Sequence, residues 1–384
     1  MTATIDLSAH RLDTAFLLLR EEVRAFLAEE RAAGTFVAHS DAWMTAADPD
    51  FSRRLGARGW LGMTLPSRYG GHDRSPLDRF VVTEELLAAG APVAAHWIAD
   101  RQMAPSILRH GSEAQKQRYL PEIARGACYF AIGMSEPEAG SDLAAVRTRA
   151  REVPGGWEIT GTKLWTTGAH YAHAMVVLAR TDGSPGDRHS GLSQFVVDLP
   201  TPGVEVRPIV TVDGGHHFNE VVFDAAVVPG ESLLGERGAG WSQVTAELAY
   251  ERSGPERLMS TVPLLRAWTE LLAERGSGAV EARELGRLTA RAWSLRQLSL
   301  SVAAALAEGR STETAAALVK DLGSRFEGDV VDTVRRLSGT EPVRGASGLE
   351  GMLAEGILHS PAFTLRGGAS EILRSVVARG LGVR

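Results

Sequence analysis

The residue of this chain best placed for proton chemistry is a carboxylate on an apolar helical stripe. Trp241, Val244, Leu248 and Glu251 are separated by three, four and three positions, the spacing that puts four side chains on one face of an α-helix. Glu251 therefore shares a face with apolar residues, where loss of water penalises the charged form and raises the carboxyl pKa. A base that must remove a weakly acidic proton near neutral pH needs that upward tuning. On its residues alone the position reads equally well as a surface glutamate paired with Arg252 or Arg257. Gly367-Gly368 is a second place with chemical use. It precedes an apolar-periodic run in which Ser370 is the expected cap and Ile372, Leu373, Val376 and Val377 are expected to face inward. Uncapped N–H groups there can meet a ligand, or the glycines simply make a tight turn.

The elements that would carry these residues follow from periodicity. From about residue 10 to residue 127 the pattern is helical, as in Ala15 to Leu19 leading into Val23, Phe26 and Leu27. Between Cys128 and about Pro229 the period changes to two. Breakers such as Gly155-Gly156, Gly161, Pro200, Pro202 and Gly214-Gly215 separate the short runs Met175–Leu178, Gln194–Val197 and Glu220–Phe223. That spacing predicts a small antiparallel barrel. After Gly238-Ala239-Gly240 the helical period returns, with Gly-rich breaks at 276–278 and 339–351. The expected organisation is a helical domain over 1–127, a middle β-barrel over 128–235 and a helical bundle over 236–384, an α+β multidomain chain.

A chain of 384 residues can bury large cores. Its 41 Lys and Arg against 47 Asp and Glu give a net charge of -6, so no basic field points to nucleic acid or an anionic membrane. The one cysteine, Cys128, leaves no intramolecular disulfide framework and no thiolate cluster for a metal. The opening residues lack a basic stretch followed by an apolar run, and no segment has the apolar length to span a bilayer, so a cytoplasmic protein is expected. A Rossmann nicotinamide site is not expected either, since no Gly-x-Gly-x-x-Gly follows a predicted strand and βαβ alternation is lacking.

Four stretches carry a resemblance to a known family. They are Tyr129–Asp142, Gly161–Gly168, Phe218–Asp224 running on to Gly240-Trp241, and Leu365–Arg374. In order and spacing they resemble the acyl-CoA dehydrogenases, flavoproteins built as helical domain, β-barrel and helical bundle. The resemblance implies FAD as cofactor. It implies that Met134 and Ser135 face the flavin pyrimidine edge, that Trp165 packs against the ring and that Thr167 donates near N5. It also implies Gly368, Glu371 and Arg283 as further cofactor contacts. Ser141 would meet the pantetheine arm of the thioester, with Arg252 and Trp97 lining the substrate site, although His96 and Trp97 also read as ordinary packing residues. Many members of the family carry their catalytic glutamate where Gly367 stands. Glu251 matches the position used by the branch typified by isovaleryl-CoA dehydrogenase, whose base lies on an earlier helix. The implied reaction is α,β-dehydrogenation of an acyl thioester of coenzyme A or an acyl carrier protein. Glu251 would take the α-proton, the β-hydrogen would leave as hydride to N5, and the backbone N–H of Gly367 would polarise the carbonyl.

Two features depart from the family pattern. The arginine that reaches the cofactor pyrophosphate of a neighbouring subunit falls on Ala282, which leaves Arg283 or Arg287 to take its place. The Gln and Gly-Gly loop that contacts the adenosine is not recognisable between Arg335 and Gly345. The assembly expected from the resemblance is a homo- or hetero-oligomer that passes electrons to electron-transfer flavoprotein. A flavin monooxygenase or oxidase on the same fold, and a non-catalytic subunit of a heteromeric dehydrogenase, are the competing functions.

Overall fold

The computed structural model describes residues 10–182, 187–252 and 254–383; the side chains of residues 248–251 lie outside that description. The chain divides into two compact units, one made of Met1–Ala47, Arg74–Val93 and Ala249–Arg384, the other of Asp48–Asp73 and Ala94–Leu248.

The first unit is helical. Asp13 caps the helix Thr14–Ala32 by accepting from the N–H groups of Ala15 and Phe16, and the helix buries Leu19, Val23, Phe26 and Leu27. Ser75 and Asp78 form a capping box at the start of the helix Pro76–Ala88. Arg20 bonds Glu84 and Glu85 of that helix, and Arg296 adds a second guanidinium to Glu84. Five helices follow among the described residues: Val262–Arg275, Ala279–Ala307, Glu313–Leu337, Gly348–Phe363 and Ser370–Gly380. The Gly-rich break expected at 276–278 falls in the gap after Arg275; the one expected at 339–351 begins in the gap after Leu337 and runs into the first turn of Gly348–Phe363. Glu313–Leu337 is the central element, burying Val319, Phe326, Val330 and Val334 together with the charged side chains of Lys320, Asp321 and Glu327.

The second unit holds the sheet. Its strands are β1 (Phe130–Gly133), β2 (Arg149–Val153), β3 (Gly156–Thr167), β4 (Ala174–Arg180), β5 (Leu192–Asp198), β6 (Val204–Ile209), β7 (Phe218–Pro229) and β8 (Leu233–Leu234). They form one sheet in the order β6-β7-β3-β2-β4-β5-β8, with β1 added beside β4. Each apolar run singled out in the sequence lies within a strand. The pairing is mostly antiparallel, but β1 runs parallel to β4 and β2 touches β4 in parallel at Arg149 and Arg180, which the period-two pattern does not encode. One layer of core packs Ala99, Met103, Ile107, Leu120 and Ile123 against Phe130, Val176 and Val196. Another gathers Trp157, Ile159, Met175, Val177, Phe195, Val221 and Phe223. The helical pattern around residue 100 is interrupted by a π-turn at Ala99–Met103, where Asp100 accepts from the N–H of Gly62 at 2.7 Å. Among the described residues no helix is long and apolar enough to cross a membrane.

The long strand β3 is irregular against β7, with register shifts between Ile159 and Gly161 and between Lys163 and Thr166. Gly161 permits the first. Its φ is +152°, and a Cβ there would stand 2.4 Å from Thr148 Oγ1 and 2.7 Å from Thr148 Cα. The neighbouring backbone would have to move. Gly161→Ala is therefore expected to cost about 1–3 kcal/mol, read as a lower urea midpoint at unchanged slope.

Candidate active site

The second register shift in β3 carries Trp165. A bulge puts one extra residue into a strand and re-aims its side chain, and Trp165 pays for this with a left-handed φ of 58°, unfavourable for a bulky residue by about 1–2 kcal/mol. The indole is 55% exposed, with Phe218 edge-on at 5.7 Å. A strained backbone presenting a large aromatic face is a feature that a sheet built only for stability would not keep. Immediately before it, the Leu164 N–H donates to the Ser135 carbonyl at 2.9 Å, tying the bulge to the segment that follows β1.

That segment is fixed from behind by a buried ion pair. Lys163 is fully buried; its ammonium donates to the Met134 carbonyl at 3.1 Å and to Glu136 Oε1 at 2.8 Å. The other donors to Glu136 are the N–H groups of Arg147 at 2.6 Å and Thr148 at 2.9 Å. Burial pushes the Lys163 ammonium down to about 8 against the pull of Glu136. Burial also works to raise the Glu136 carboxyl, but Lys163 and the two N–H donors together hold it below its ordinary value. With both carbonyls of Met134 and Ser135 occupied, the segment presents its remaining polar groups from a rigid turn. Met134 and Ser135, on the segment after β1, are thus tied to β3, which carries Trp165 and Thr167. Thr167 faces Phe218 in the ladder, and the buried Thr166 hydroxyl beside it has no hydrogen-bond partner. Ser141, farther along the same turn, is exposed.

In the first unit the glycine pair forms a turn with two successive left-handed residues, Gly367 at φ 66° and Gly368 at φ 100°. Arg252 Nε donates to the Gly367 carbonyl at 3.1 Å, and the buried Lys320 donates to the carbonyls of Gly368 at 3.0 Å and Phe363 at 3.2 Å. With the carbonyls held by cations, no described residue accepts from the N–H of Gly367 or Gly368. Ser370 is the first helical residue rather than the cap. Ala369 occupies the cap position, and having no side-chain oxygen it leaves the first turn without a side-chain acceptor; the buried Ser370 hydroxyl is itself unpartnered. Leu373 is buried as expected, whereas Ile372 is 40% exposed and does not face the core. Consecutive unpaired N–H groups of this kind make a concave donor surface suited to oxygen atoms or partial negative charge.

Arg366, one residue before the pair, is the centre of a second buried network. Its Nη1 donates to both oxygens of Asp41, at 2.7 and 2.6 Å, and its Nη2 to Ser260 Oγ at 2.8 Å. The guanidinium lies 4.6 Å from the Trp43 ring centre and 4.7 Å from that of Phe363. Glu327 accepts from the Ser260 N–H at 2.7 Å and stands 3.7 Å from Arg366. Burial raises the Glu327 carboxyl to about 7, against the pull of Arg366.

The other expected residues are more dispersed. The helix Gly240–Glu251 exists and Val244 is buried on it, with Trp241 against the same cluster, but the side chains of Leu248 and Glu251 lie outside the described residues. Its polar Gln243 and Glu247 are buried as well, which the apolar stripe does not anticipate. Glu371 is exposed in the first turn of the last helix, and Arg283 is exposed on Ala279–Ala307 beside Glu284. Trp97 is buried under the guanidinium of Arg101 at 5.3 Å. His96 is buried and bonded to Ser52 Oγ at 2.8 Å, and burial pushes its pKa down to about 3. Sequence reasoning missed Lys163, Lys320, Asp41 and Glu327. Lys320 left a trace, as the charged residue that ends the apolar run from Ala315 to Val319. Within the second unit, the exposed Trp165 face and the orphaned Thr166 hydroxyl fit the flat, polar-edged ring of FAD; within the first, the orphaned Ser370 hydroxyl and the open N–H groups of the glycine turn fit oxygen atoms.

Three family models match nearly the whole chain: the N-terminal domain of acyl-CoA dehydrogenase over residues 15–127, the middle domain over 131–226 and the C-terminal domain over 238–382. The chain is 32% identical over 370 residues to acyl-CoA dehydrogenase IpdE1 of Mycobacterium tuberculosis, covering 94% of this chain and 95% of that one. It is 33% identical over 345 residues to acyl-CoA dehydrogenase FadE34 of the same organism, covering 88% of this chain but spanning only 46% of that longer protein. A solved structure named the Tcur3481-Tcur3483 steroid ACAD superposes with a TM-score of 0.86 at 29% identity, over 97% of this chain and 99% of its own. The chain belongs to the acyl-CoA dehydrogenase family, whose members use FAD.

Proposed function

We propose that the protein oxidises the Cα–Cβ bond of an acyl thioester to a double bond, with Glu251 as the base. The observation that carries this reading is the turn at Gly367-Gly368. Its carbonyls are taken by Arg252 and Lys320, its N–H groups are left open, and no carboxylate stands at its first position. Such a turn serves as a donor to a thioester carbonyl and cannot serve as a base. The proton then has to go to another carboxylate, and Glu251 occupies the apolar-stripe position suited to it. As the Cα–H bond breaks, its proton passes to the Glu251 carboxylate, and the Gly367 N–H stabilises the charge that develops on the carbonyl oxygen. The β-hydrogen leaves with its electron pair and the double bond closes between the two carbons. Bound FAD supplies the acceptor for that hydride at N5.

Met134, Ser135, Trp165 and Thr167 hold the flavin ring in this proposal, with Gly368, Glu371 and Arg283 as its further contacts. Trp165 gives the ring an apolar wall, and Met134 and Ser135 offer polar groups from a turn already fixed by Lys163 and Leu164. Donors aimed at a ring edge that becomes more negative on reduction favour the reduced form. Ser141, exposed on its loop, takes the pantetheine arm, which coenzyme A and acyl carrier protein share, and Arg252 and Trp97 border the acyl group. We also propose domain limits at 127/128 and 235/236, a cytoplasmic location, an oligomer completed by identical or related subunits, and electron-transfer flavoprotein as electron acceptor.

Three measurements test these assignments. Glu251→Gln keeps side-chain shape and removes proton affinity, so flavin content should stay while anaerobic bleaching by an acyl-CoA slows by ~10²–10⁴-fold or more; near wild-type bleaching would place the base elsewhere. In that background Gly367→Glu restores a carboxylate at the other family position and should recover some activity on small acyl groups only. Trp165→Ala removes the ring wall and is expected to weaken FAD binding to the apoprotein by about tenfold, measured by fluorescence titration, since one stacked aromatic face contributes roughly 1–3 kcal/mol.

A further inference from the structure

We propose that Arg366 is a positioning residue for the Gly367 N–H, acting through its buried contacts with Asp41, Ser260 and Glu327. This rests on the reading of Gly367 as the donor to the thioester carbonyl. A main-chain N–H has no rotamer, so its direction is set by the chain on either side of it. On the following side, Arg252 and Lys320 fix the carbonyls of Gly367 and Gly368. On the preceding side, the peptide bearing the Gly367 N–H begins at Arg366. The Arg366 N–H donates to Ala362 O at 3.1 Å, and its side chain is the best anchored in this part of the fold. Nη1 meets both oxygens of Asp41, Nη2 meets Ser260, and Trp43 and Phe363 sit within 5 Å of the guanidinium. Asp41 is held in turn by its own N–H to Ser260 O at 2.7 Å, and Ser260 by Trp43 Nε1 at 2.9 Å and by Glu327. Each anchor comes from a different part of the chain: the residue before the short helix Ala42–Thr45, the loop ahead of Val262–Arg275, and the central helix. Glycines at 367 and 368 are otherwise free to take other φ values, so the turn needs this outside constraint.

The placement explains why a bulky cation stands beside the glycines. Arginine offers a planar fork that reaches an acceptor on each side while its faces rest on aromatic rings; a lysine ammonium can do only one of these at a time. The network touches neither reacting carbon nor cofactor in this proposal, so its removal should misalign the carbonyl donor and leave most of the binding surface intact.

The test uses the FAD-loaded enzyme with a short 3-thiaacyl-CoA labelled with ¹³C at the carbonyl, in which sulfur at the third position blocks loss of the β-hydride. Saturated wild-type enzyme should shift the labelled C=O stretch to lower frequency than in water. Arg366→Lys and Asp41→Asn should return that stretch towards its value in water. With a reactive acyl-CoA, kcat should fall between ~10- and ~100-fold, the scale of a displaced catalytic contact, with KM changed less than about threefold and flavin content unchanged. Asp41→Asn guards against misfolding of the lysine variant, because asparagine accepts the left-handed φ of 60° found at position 41. If both variants keep the full shift and wild-type kcat, the positioning role is wrong and the role of Gly367 stands. If the wild-type complex itself shows no shift, Gly367 is not the carbonyl donor and the proposal falls with that reading.

Discussion

In the proposed mechanism, the constraint on which the rest of this structure depends is that the Gly367 N–H, as a backbone donor, can be aimed only by the path of its chain. Once position 367 is a glycine, there is no side chain to adjust, and the turn must be held from outside. The chain does this with charge. Arg252, Lys320 and Arg366 converge on residues 363–368, two of them on carbonyl oxygens and the third on a carboxylate reached from the far end of the sequence. Burying three cations is expensive unless each finds oxygen atoms at close range. The carbonyls and Asp41 meet that condition, and the cost of breaking any one contact is what makes the turn stiff.

The same solution appears in the other unit with the parts exchanged. There Lys163 is buried behind Met134, holding a carbonyl with one hydrogen bond and Glu136 with another. Glu136 spends its remaining capacity on two N–H groups at the start of the next segment. A buried ion pair is weak evidence for stability, because desolvation offsets the attraction. Its effect is directional: it fixes which groups of residues 134–135 face outward, and the Leu164 N–H to Ser135 locks the Trp165 bulge to the same frame. A left-handed tryptophan survives only where its surroundings over-determine it.

How much of this was legible in the sequence follows from the range of the interactions. The strand runs and the helix carrying Val244 are local patterns with periods of two and 3.6, and each lies where counting puts it, whereas the Gly-rich stretch at 339–351 ends inside the helix Gly348–Phe363. The Trp165 and Gly367 stretches were legible as motifs of a family. The capping of the last helix was misread, because a serine beside a glycine pair satisfies the local rule although the backbone turns one residue earlier, at Ala369. The parallel pairing of β1 with β4 is a choice between sheet partners that alternation does not specify. Least legible were the anchors. Arg366 and Asp41 are separated by 325 positions and Lys163 and Glu136 by 27, and nothing in the local pattern of an aspartate near residue 40 names its partner.

That difference has a chemical logic. A side-chain base needs only a helix and a face, which periodicity can encode within a dozen residues, whereas a backbone donor needs a frame assembled from distant segments. In the proposed mechanism a glycine at position 367 leaves proton abstraction to Glu251 and keeps the donor role on a main chain that glycine makes more pliable. Glycine in place of a side chain loosens the turn, and charge buried around Arg366 tightens it again. The guanidinium network is then the structural counterpart of the glycine: the two features act in opposite directions on backbone freedom, and neither is intelligible from its own position in the sequence.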